Sequence, residues 1–520
     1  MTAADPRIAE AFARLPEYLG NHVLLSVSAL ALGITISLPL GIIAARNARL
    51  RWPLLAAASL VQTIPGLALL ALFYPLLLGI SSLTAEYFNA PFSAFGFLPS
   101  LLALTLYSML PVLRNTITGL NGIDPAVLEA AQRAGMTPAQ SRNMVELPLA
   151  MPVIMAGIRT AAVWVIGTAT LSTPVGQTSL GNYIFTGLQT QNWVFVLFGC
   201  LAAAALALVI DQLLALIESG VRVRNRLRAV AGAAGILAVA VAAIVPNQTR
   251  GAHTGYVVGA KTFTEQFILA ALIRQRLEAA GETAIRRDGL GSTIAFDALA
   301  NDEIDVYVDY SGTIWANQML RKDVKPRGEI LEEMRRWLAG KHGITLLGSL
   351  GFENAYAFAM RRDRAAALNI RTVEDLALHA RSLSVAGDFE FFARPEWPAV
   401  RDAYGLQFRE QRQMQSTFMY EAAAAGEADV ITAFSSDGRI AQYDLIVLKD
   451  PKNALPPYDA ILLLAPKRAK DTKLIGALSP LIGAIDAETM RAANLRSDRT
   501  IDQETPATAA RWLGRQIGKR

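Results

Sequence analysis

A single cysteine, Cys200, in 520 residues excludes an internal disulfide framework. The four histidines, His22, His253, His342 and His379, stand at no ligand spacing, so no metal site is expected. No GxxxxGK[ST] phosphate loop occurs, and Gly289-Leu290-Gly291 lacks the third glycine of a dinucleotide turn, so nucleotide binding on this chain is not expected. No nucleophile–base arrangement is readable, which argues against an enzyme. Charge is scarce, at 18% of residues, and unevenly placed: residues 23–45, 53–85, 87–113 and 160–210 contain no Asp, Glu, Lys or Arg. A membrane helix needs roughly 20 apolar residues, so the first half is read as spanning a bilayer. The net charge of +5 is carried largely by arginines at the ends of apolar runs. That pattern fits membrane anchoring and not nucleic-acid binding.

Six spans are expected, at about 22–45, 54–79, 97–117, 152–173, 193–217 and 228–246, with Pro65 and Pro75 kinking the long second run. Residues 1–21 hold charges throughout, and the first apolar run is long enough to span, so it is not read as a signal peptide. Ile8, Phe12 and Leu15 recur at helical spacing, so residues 5–17 are read as a short amphipathic helix on the outer surface. Arg159 falls inside the fourth span and is read either as reaching the interface or as facing a pore. Orientation follows from arginine placement. Arg46, Arg49 and Arg51 follow span one, and Arg222, Arg224, Arg226 and Arg228 follow span five, whereas the turns at 80–96 and 174–192 hold no Lys or Arg. The odd-numbered turns are therefore cytoplasmic, and both termini lie outside.

The third turn carries a fixed pattern: Glu129-Ala130-Ala131, Gly135, then Val145-Glu146-Leu147-Pro148. Asp124 before Pro125 suits a helix start, Gly135 a left-handed stop, and Thr137-Pro138 a second start. A short helix, a sharp turn and a second helix are predicted over 123–148. In spacing this resembles the cytoplasmic coupling loop of ABC importer permeases, which docks into a groove of the ATPase. The resemblance assigns Glu129, Ala130, Ala131, Gly135, Leu147 and Pro148 to that contact. It implies a separate ATPase chain holding ATP and magnesium, with no cofactor on this one.

From about Lys261 onward charges recur every few residues, as on a soluble surface. Strand-like runs occur at Gly255–Ala260, Ile304–Tyr307, Ala355–Met360, Ser382–Ala386, Val430–Phe434, Leu445–Leu448 and Ala460–Ala465, alternating with helical ones such as Glu265–Glu278. That argues an α/β fold with mostly parallel sheets. Six segments occur in order: Gly259-Ala260-Lys261-Thr262-Phe263-Thr264-Glu265-Gln266, Gly289 to Thr293, Asp305 to Thr313, Gly351 to Ala357, Ala433 to Ile440 and Pro456-Pro457-Tyr458-Asp459. Together they resemble the substrate-binding proteins of glycine betaine, carnitine and choline importers.

The fold implied is an all-α polytopic membrane domain followed by a two-lobed α/β domain of the periplasmic-binding-protein type, whose lobes are joined by two strands and close on ligand. The expected organisation is an N-terminal extracytoplasmic segment 1–21, a permease domain 22–217, a sixth span and linker 218–253, and an extracytoplasmic substrate-binding domain 254–520. Lobe one takes 255–357 and 462–520, and lobe two 358–459. A quaternary ammonium cannot donate an N–H bond, so aromatic faces recognise it, at about 0.5–2 kcal/mol each. The resemblance points to Tyr310, Tyr356, Tyr420 and Tyr458 as walls, with Phe263, Phe352 and Phe389 in reserve. Thr293 and Ser292 resemble the hydroxyls that hold the ligand's polar end, and Arg439 is the expected partner for a carboxylate. Where tight betaine and choline binders of the family carry an aromatic, three positions before Thr293, this chain has Leu290.

The function expected is therefore the fused permease and binding subunit of an ABC importer for quaternary ammonium osmoprotectants, homodimeric, in the inner membrane. Ergothioneine or another zwitterion or amino acid is the alternative cargo, and a ligand sensor without transport the alternative role.

Overall fold

The computed structural model describes the chain except residues 1–5, 89–91, 93–95, 190–191, 249–254, 322, 324, 389–390, 395, 500–501 and 519–520. Two compact units result: Met1–Phe185 with Val194–Ala252, and Thr186–Trp193 with His253–Arg520.

The first unit is helical: α1 (Pro6–Arg46), α2 (Ala48–Thr63), α3 (Gly66–Phe88), α4 (Phe97–Asn121), α5 (Pro125–Arg133), α6 (Pro138–Ser141), α7 (Leu147–Ala169), α8 (Gly181–Gln189), α9 (Trp193–Arg222) and α10 (Arg226–Gln248). Among the described residues five helices are long and apolar enough to cross a membrane, and the pair α2 and α3, bent by 101°, makes up to six. The expected surface helix at 5–17 is instead continuous with the first span: α1 runs 41 residues without a break. Tertiary packing overrides the local signal. Tyr18 meets Tyr183 edge-on at 4.8 Å, and the buried His22 ring lies 3.1 Å from the Ile166 carbonyl. The second run breaks at Ile64-Pro65, where the residue before proline is pushed into an extended conformation. The Tyr107 hydroxyl donates to the freed Ile64 carbonyl. Pro75, expected to kink the same run, stays inside α3.

Helix α4 is the hub, packed between α1 and α7. Backbones approach closely because small residues meet: a Cβ on Gly41 would stand 2.8 Å from the Thr116 Cβ, and one on Gly157 2.6 Å from the Asn115 Cβ. Arg159 on α7 is paired across to a neighbouring helix. Its guanidinium makes two 2.9 Å bonds to Asp211 and one to Glu218, both on α9. A charge at membrane depth is costly unless answered by another, so the triad ties α7 to α9.

The second unit holds two five-stranded sheets. The strands are β1 (Tyr256–Lys261), β2 (Ala284–Leu290), β3 (Val306–Tyr310), β4 (Thr345–Glu353), β5 (Tyr356–Arg361), β6 (Ser384–Gly387), β7 (Glu410–Gln413), β8 (Val430–Phe434), β9 (Leu445–Val447) and β10 (Asp459–Leu464). The orders are β2-β1-β3-β10-β4 and β7-β6-β8-β5-β9. Helices α11 (Thr264–Ala279) and α12 (Ser292–Ala300) follow β1 and β2. The chain passes from the first sheet to the second at Asn354-Ala355 and re-enters the first with β10. These crossings sit a few residues ahead of the lobe boundaries expected at 357/358 and 459/462.

The sheets are mixed, which corrects the expectation of mostly parallel ones. β1 pairs in parallel with β2 and β3, and β6 with β7 and β8. The returning β10 runs antiparallel to β3 and β4, and β5 antiparallel to β8 and β9. Strands that enter from the other lobe need no helical crossover on their own sheet, so nothing imposes the parallel direction.

Arg159→Met strands two partly buried carboxylates and is expected to cost about 1–3 kcal/mol. A thermal melt of the purified chain in detergent reads the loss. Adding Asp211→Leu and Glu218→Leu is expected to recover most of it.

Candidate functional site

Three strand ends of the first sheet converge on one cleft. β1 ends at Lys261, and Thr262-Phe263 turn the chain into α11. β2 leads to Ser292, the first residue of α12, and β3 ends at Tyr310, one turn before Thr313. The carboxyl ends of strands in open α/β sheets are where ligands bind. The second sheet supplies Tyr356 at the start of β5, Asp388 just after β6 and Phe434 at the end of β8. Arg394, Gln415 and Ser416 add polar groups, and Asn354 and Tyr458 come from the two crossings. All of these line a cavity of about 290 Å³.

Its apolar wall is a chain of rings. Phe263 stacks parallel on Phe434 at 6.2 Å and lies 6.0 Å from Tyr310. Tyr356 lies 5.0 Å from Phe434 and meets Tyr458 edge-on at 5.8 Å.

Each tyrosine hydroxyl is held by a carboxylate. Tyr310 donates to Glu265 at 2.6 Å, Tyr356 to Asp388 at 3.2 Å, and Tyr458 to Glu396. Burial pushes the Tyr310 and Tyr458 phenols well above their usual range, and the neighbouring carboxylates add to this. They stay neutral donors at physiological pH. Burial also pushes the Glu265 carboxyl up, against the pull of its hydroxyl and amide donors.

The cleft holds cations as well. The buried Lys261 ammonium pairs with Asp309 and stands 5.6 Å from the Tyr310 ring centre. The Arg394 guanidinium lies 5.5 Å from that of Tyr356 and 3.9 Å from Glu396. Basic groups beside a ring wall, with Asp388 also facing the space, suit a small molecule bearing both signs of charge.

The structure brings together Tyr310, Tyr356, Tyr458, Phe263 and Ser292, and leaves four expected residues outside the lining. Tyr420 is fully buried under β8, where its hydroxyl accepts from the Phe434 backbone N–H at 3.0 Å. Arg439 is spent internally: it stacks 4.3 Å from the centre of the Tyr420 ring and makes two bonds to Asp437, at 2.9 and 2.6 Å. Thr293 is exposed, because the helical turn that presents Ser292 to the cleft carries its neighbour away from it. Phe352 is buried in the core from β4, and Phe389 lies outside the described residues. Phe434, Lys261, Asp388 and Arg394 went unread. Phe434 ends the quoted Ala433-Phe434 pair and was legible as an aromatic at a strand end.

In the membrane unit the elbow forms as its caps predict. Asp124 accepts from the Ala126 N–H at 2.9 Å, and Pro125 starts α5. Gly135 takes φ +78° in open space, so the conformation rather than crowding calls for glycine. Thr137 and Gln140 then make a capping box. Glu146 anchors the base through a 2.9 Å pair with Arg46 at the end of α1. Leu147-Pro148 opens α7. Glu129 and Ala130 are exposed, as are Val127 and Met144, while Ala131 is buried. The elbow thus presents the small Ala130, the Glu129 carboxylate and the apolar Val127 and Met144 to whatever docks there.

Comparison with known proteins gives matches to both units. Residues 255–515 match the substrate binding domain of the ABC-type glycine betaine transport system, and residues 37–223 the binding-protein-dependent transport system inner membrane component. The ergothioneine transport permease/ergothioneine binding protein EgtU of Helicobacter pylori is 28% identical over 495 residues, covering 92% of this chain and 86% of that protein. The choline transport system permease protein OpuBB of Bacillus subtilis is 40% identical over 198 residues, covering 38% of this chain and 84% of that protein. A crystal structure of a glycine betaine/carnitine/choline ABC transporter aligns with 51% of this chain and 98% of its own, at 28% identity and a TM-score of 0.46.

Asp124→Ala and Thr137→Ala each remove a helix cap and are expected to cost about 1 kcal/mol of local stability. Hydrogen exchange is expected to speed up across 125–146 and to stay unchanged in residues 256–517.

Proposed function

The chain belongs to the glycine betaine type of ABC importer, its second half to the substrate-binding domains and its first to the inner-membrane components, and on that footing we propose that its cargo is a zwitterion pairing a carboxylate with a delocalised cation. It is a fused permease and binding subunit, multi-pass in the inner membrane, with the binding domain extracytoplasmic. It is not an enzyme; ATP is hydrolysed by a separate ATPase subunit.

One observation carries the cargo reading: the ring wall of Phe263, Tyr310, Phe434, Tyr356 and Tyr458 is flanked by Lys261 and Arg394. Ring faces hold an ammonium without hydrogen bonds. Arg394 and Lys261 are the carboxylate partners, since a guanidinium and an ammonium can only donate. Glycine betaine and carnitine meet both requirements, and choline, without a carboxylate, meets one. A second reading, ergothioneine, is favoured by Asp388. A quaternary ammonium has no N–H to offer this carboxylate, whereas an azole ring N–H does. The named cargo of the Helicobacter relative agrees with it.

In transport, two copies of this chain form the path and present two elbows to two ATPases. Glu129, Ala130, Ala131 and Gly135 meet the ATPase, and Leu147-Pro148 passes its motion into α7. The tethered domain keeps captured ligand at high effective concentration beside the path.

Calorimetry on the full chain in nanodiscs is expected to find choline weaker than glycine betaine by about tenfold or more, because it brings no carboxylate to the basic groups. Arg394→Gln is expected to erase that difference. Equal affinities in the unmodified chain would remove the carboxylate from the reading. Glu129→Lys is expected to abolish uptake in proteoliposomes carrying the ATPase while leaving affinity unchanged. Undiminished uptake would clear the elbow of a coupling role.

A further inference from the structure

Glu265, in the first turn of α11, is fully out of water, and each carboxylate oxygen accepts two hydrogen bonds. One oxygen, Oε1, takes the Tyr310 hydroxyl at 2.6 Å and the Asn354 Nδ2 at 3.1 Å. The other, Oε2, takes the Ser436 hydroxyl at 2.5 Å and the Asn494 Nδ2 at 2.8 Å. These four donors come from different parts of the domain. Tyr310 is a wall of the cleft. Asn354 sits in the first crossing between sheets and also lines the cleft. Ser436 follows β8 of the second sheet, and Asn494 belongs to the helix Ala487–Asp498, which follows the return to the first sheet.

The same junction is stitched by the backbone. Ala355 N–H donates to the Ser435 hydroxyl and Ser435 N–H to the Ala355 carbonyl, each at 2.9 Å. Asn494 Nδ2 donates in addition to the Ser436 carbonyl at 2.8 Å.

We infer that Glu265 is a positioning residue that links the ligand wall to lobe closure, one oxygen holding the cleft side and the other, through Ser436, reaching the second lobe. The inference rests on the cleft being the ligand site. A carboxylate offers about four acceptor positions, and here all are filled. Swinging the second lobe away moves Ser436 off Oε2 and leaves a buried charge short of a donor, which is costly. The same carboxylate orients the ligand side: turning the Asn354 amide over would set its Oδ1 against Glu265, so its Nδ2 stays on the hub. Tyr310 likewise cannot rotate without giving up its acceptor. A ligand that braces Tyr310 and Asn354 thereby steadies Oε1, and with it the geometry that Ser436 completes only when the lobes are together. Glu265 touches no ligand; it sets how long the closed form lasts.

The test is the binding kinetics of glycine betaine, carnitine and ergothioneine to the full chain in nanodiscs, by stopped-flow fluorescence. Glu265→Gln keeps the shape but replaces an acceptor by a donor facing donors. It is expected to raise koff about tenfold with kon within about twofold, as befits loss of closed-state lifetime rather than of encounter. Ser436→Ala deletes only the second-lobe donor and is expected to change koff in the same direction, about threefold. It carries the test if Glu265→Gln fails to fold by circular dichroism. A folded variant with unchanged koff, or one whose kon falls in proportion to its affinity, overturns the inference alone. An unmodified chain that binds none of the three ligands overturns the cargo reading, and this inference with it.

Discussion

A charge withdrawn from water has to be answered by a partner close at hand, and both halves of this chain are organised around that cost. In the membrane unit the solution is near-total exclusion of charge from the apolar runs. The departure at Arg159 is answered by Asp211 and Glu218 on a neighbouring helix. In the binding unit several buried carboxylates are answered by tyrosine hydroxyls, amides or a basic side chain, and each such answer fixes a position. Glu265, Asp388 and Glu396 hold the hydroxyls of Tyr310, Tyr356 and Tyr458, and Asp309 holds Lys261. The three cleft tyrosines are thus held in orientation by the hydrogen bonds their hydroxyls make to these carboxylates, of which Asp388 itself lines the cleft.

This arrangement gives the cleft its chemical character. A phenol bonded to a carboxylate keeps its proton and its ring orientation, and the carboxylate behind it adds to the negative potential that an aromatic face offers a cation. Lys261 and Arg394 stand beside the same rings and keep the site from being a simple cation trap. Rings that attract a cation and side chains that attract an anion thus face one space.

The elbow obeys the same economy in a wetter setting. Its helices are short, so the caps from Asp124 and the Thr137–Gln140 box contribute a large share of their stability. Its base is tied to α1 by the 2.9 Å pair of Arg46 with Glu146. Gly135 provides the reversal between them at a backbone angle other residues adopt only with strain.

Local chemistry and periodicity carried much of this into view from the sequence alone. Runs without charge announced the spans and cap residues the elbow, while the two-lobed domain and three of its cleft tyrosines came from the resemblance that the separated segments from Gly259 to Asp459 carry to binding proteins. Strands β2, β4 and β7 escaped. β2 is half charged, β4 is interrupted by Gly348 and Gly351, and β7 is a wholly exposed polar edge, so none shows an apolar alternation. Tyr420 and Arg439 carried the right chemistry for a cage and a carboxylate partner, but the fold turns them on each other behind β8. The continuity of α1, the mixed sheets and the choice of Ser292 over Thr293 were equally matters of tertiary structure. Periodicity and caps act over a few residues, and they are written in the order of the chain. Which face of a helix turns inward, and which of two tyrosines meets the cleft or the core, depends on groups a hundred or more residues away that only the packed fold brings within reach.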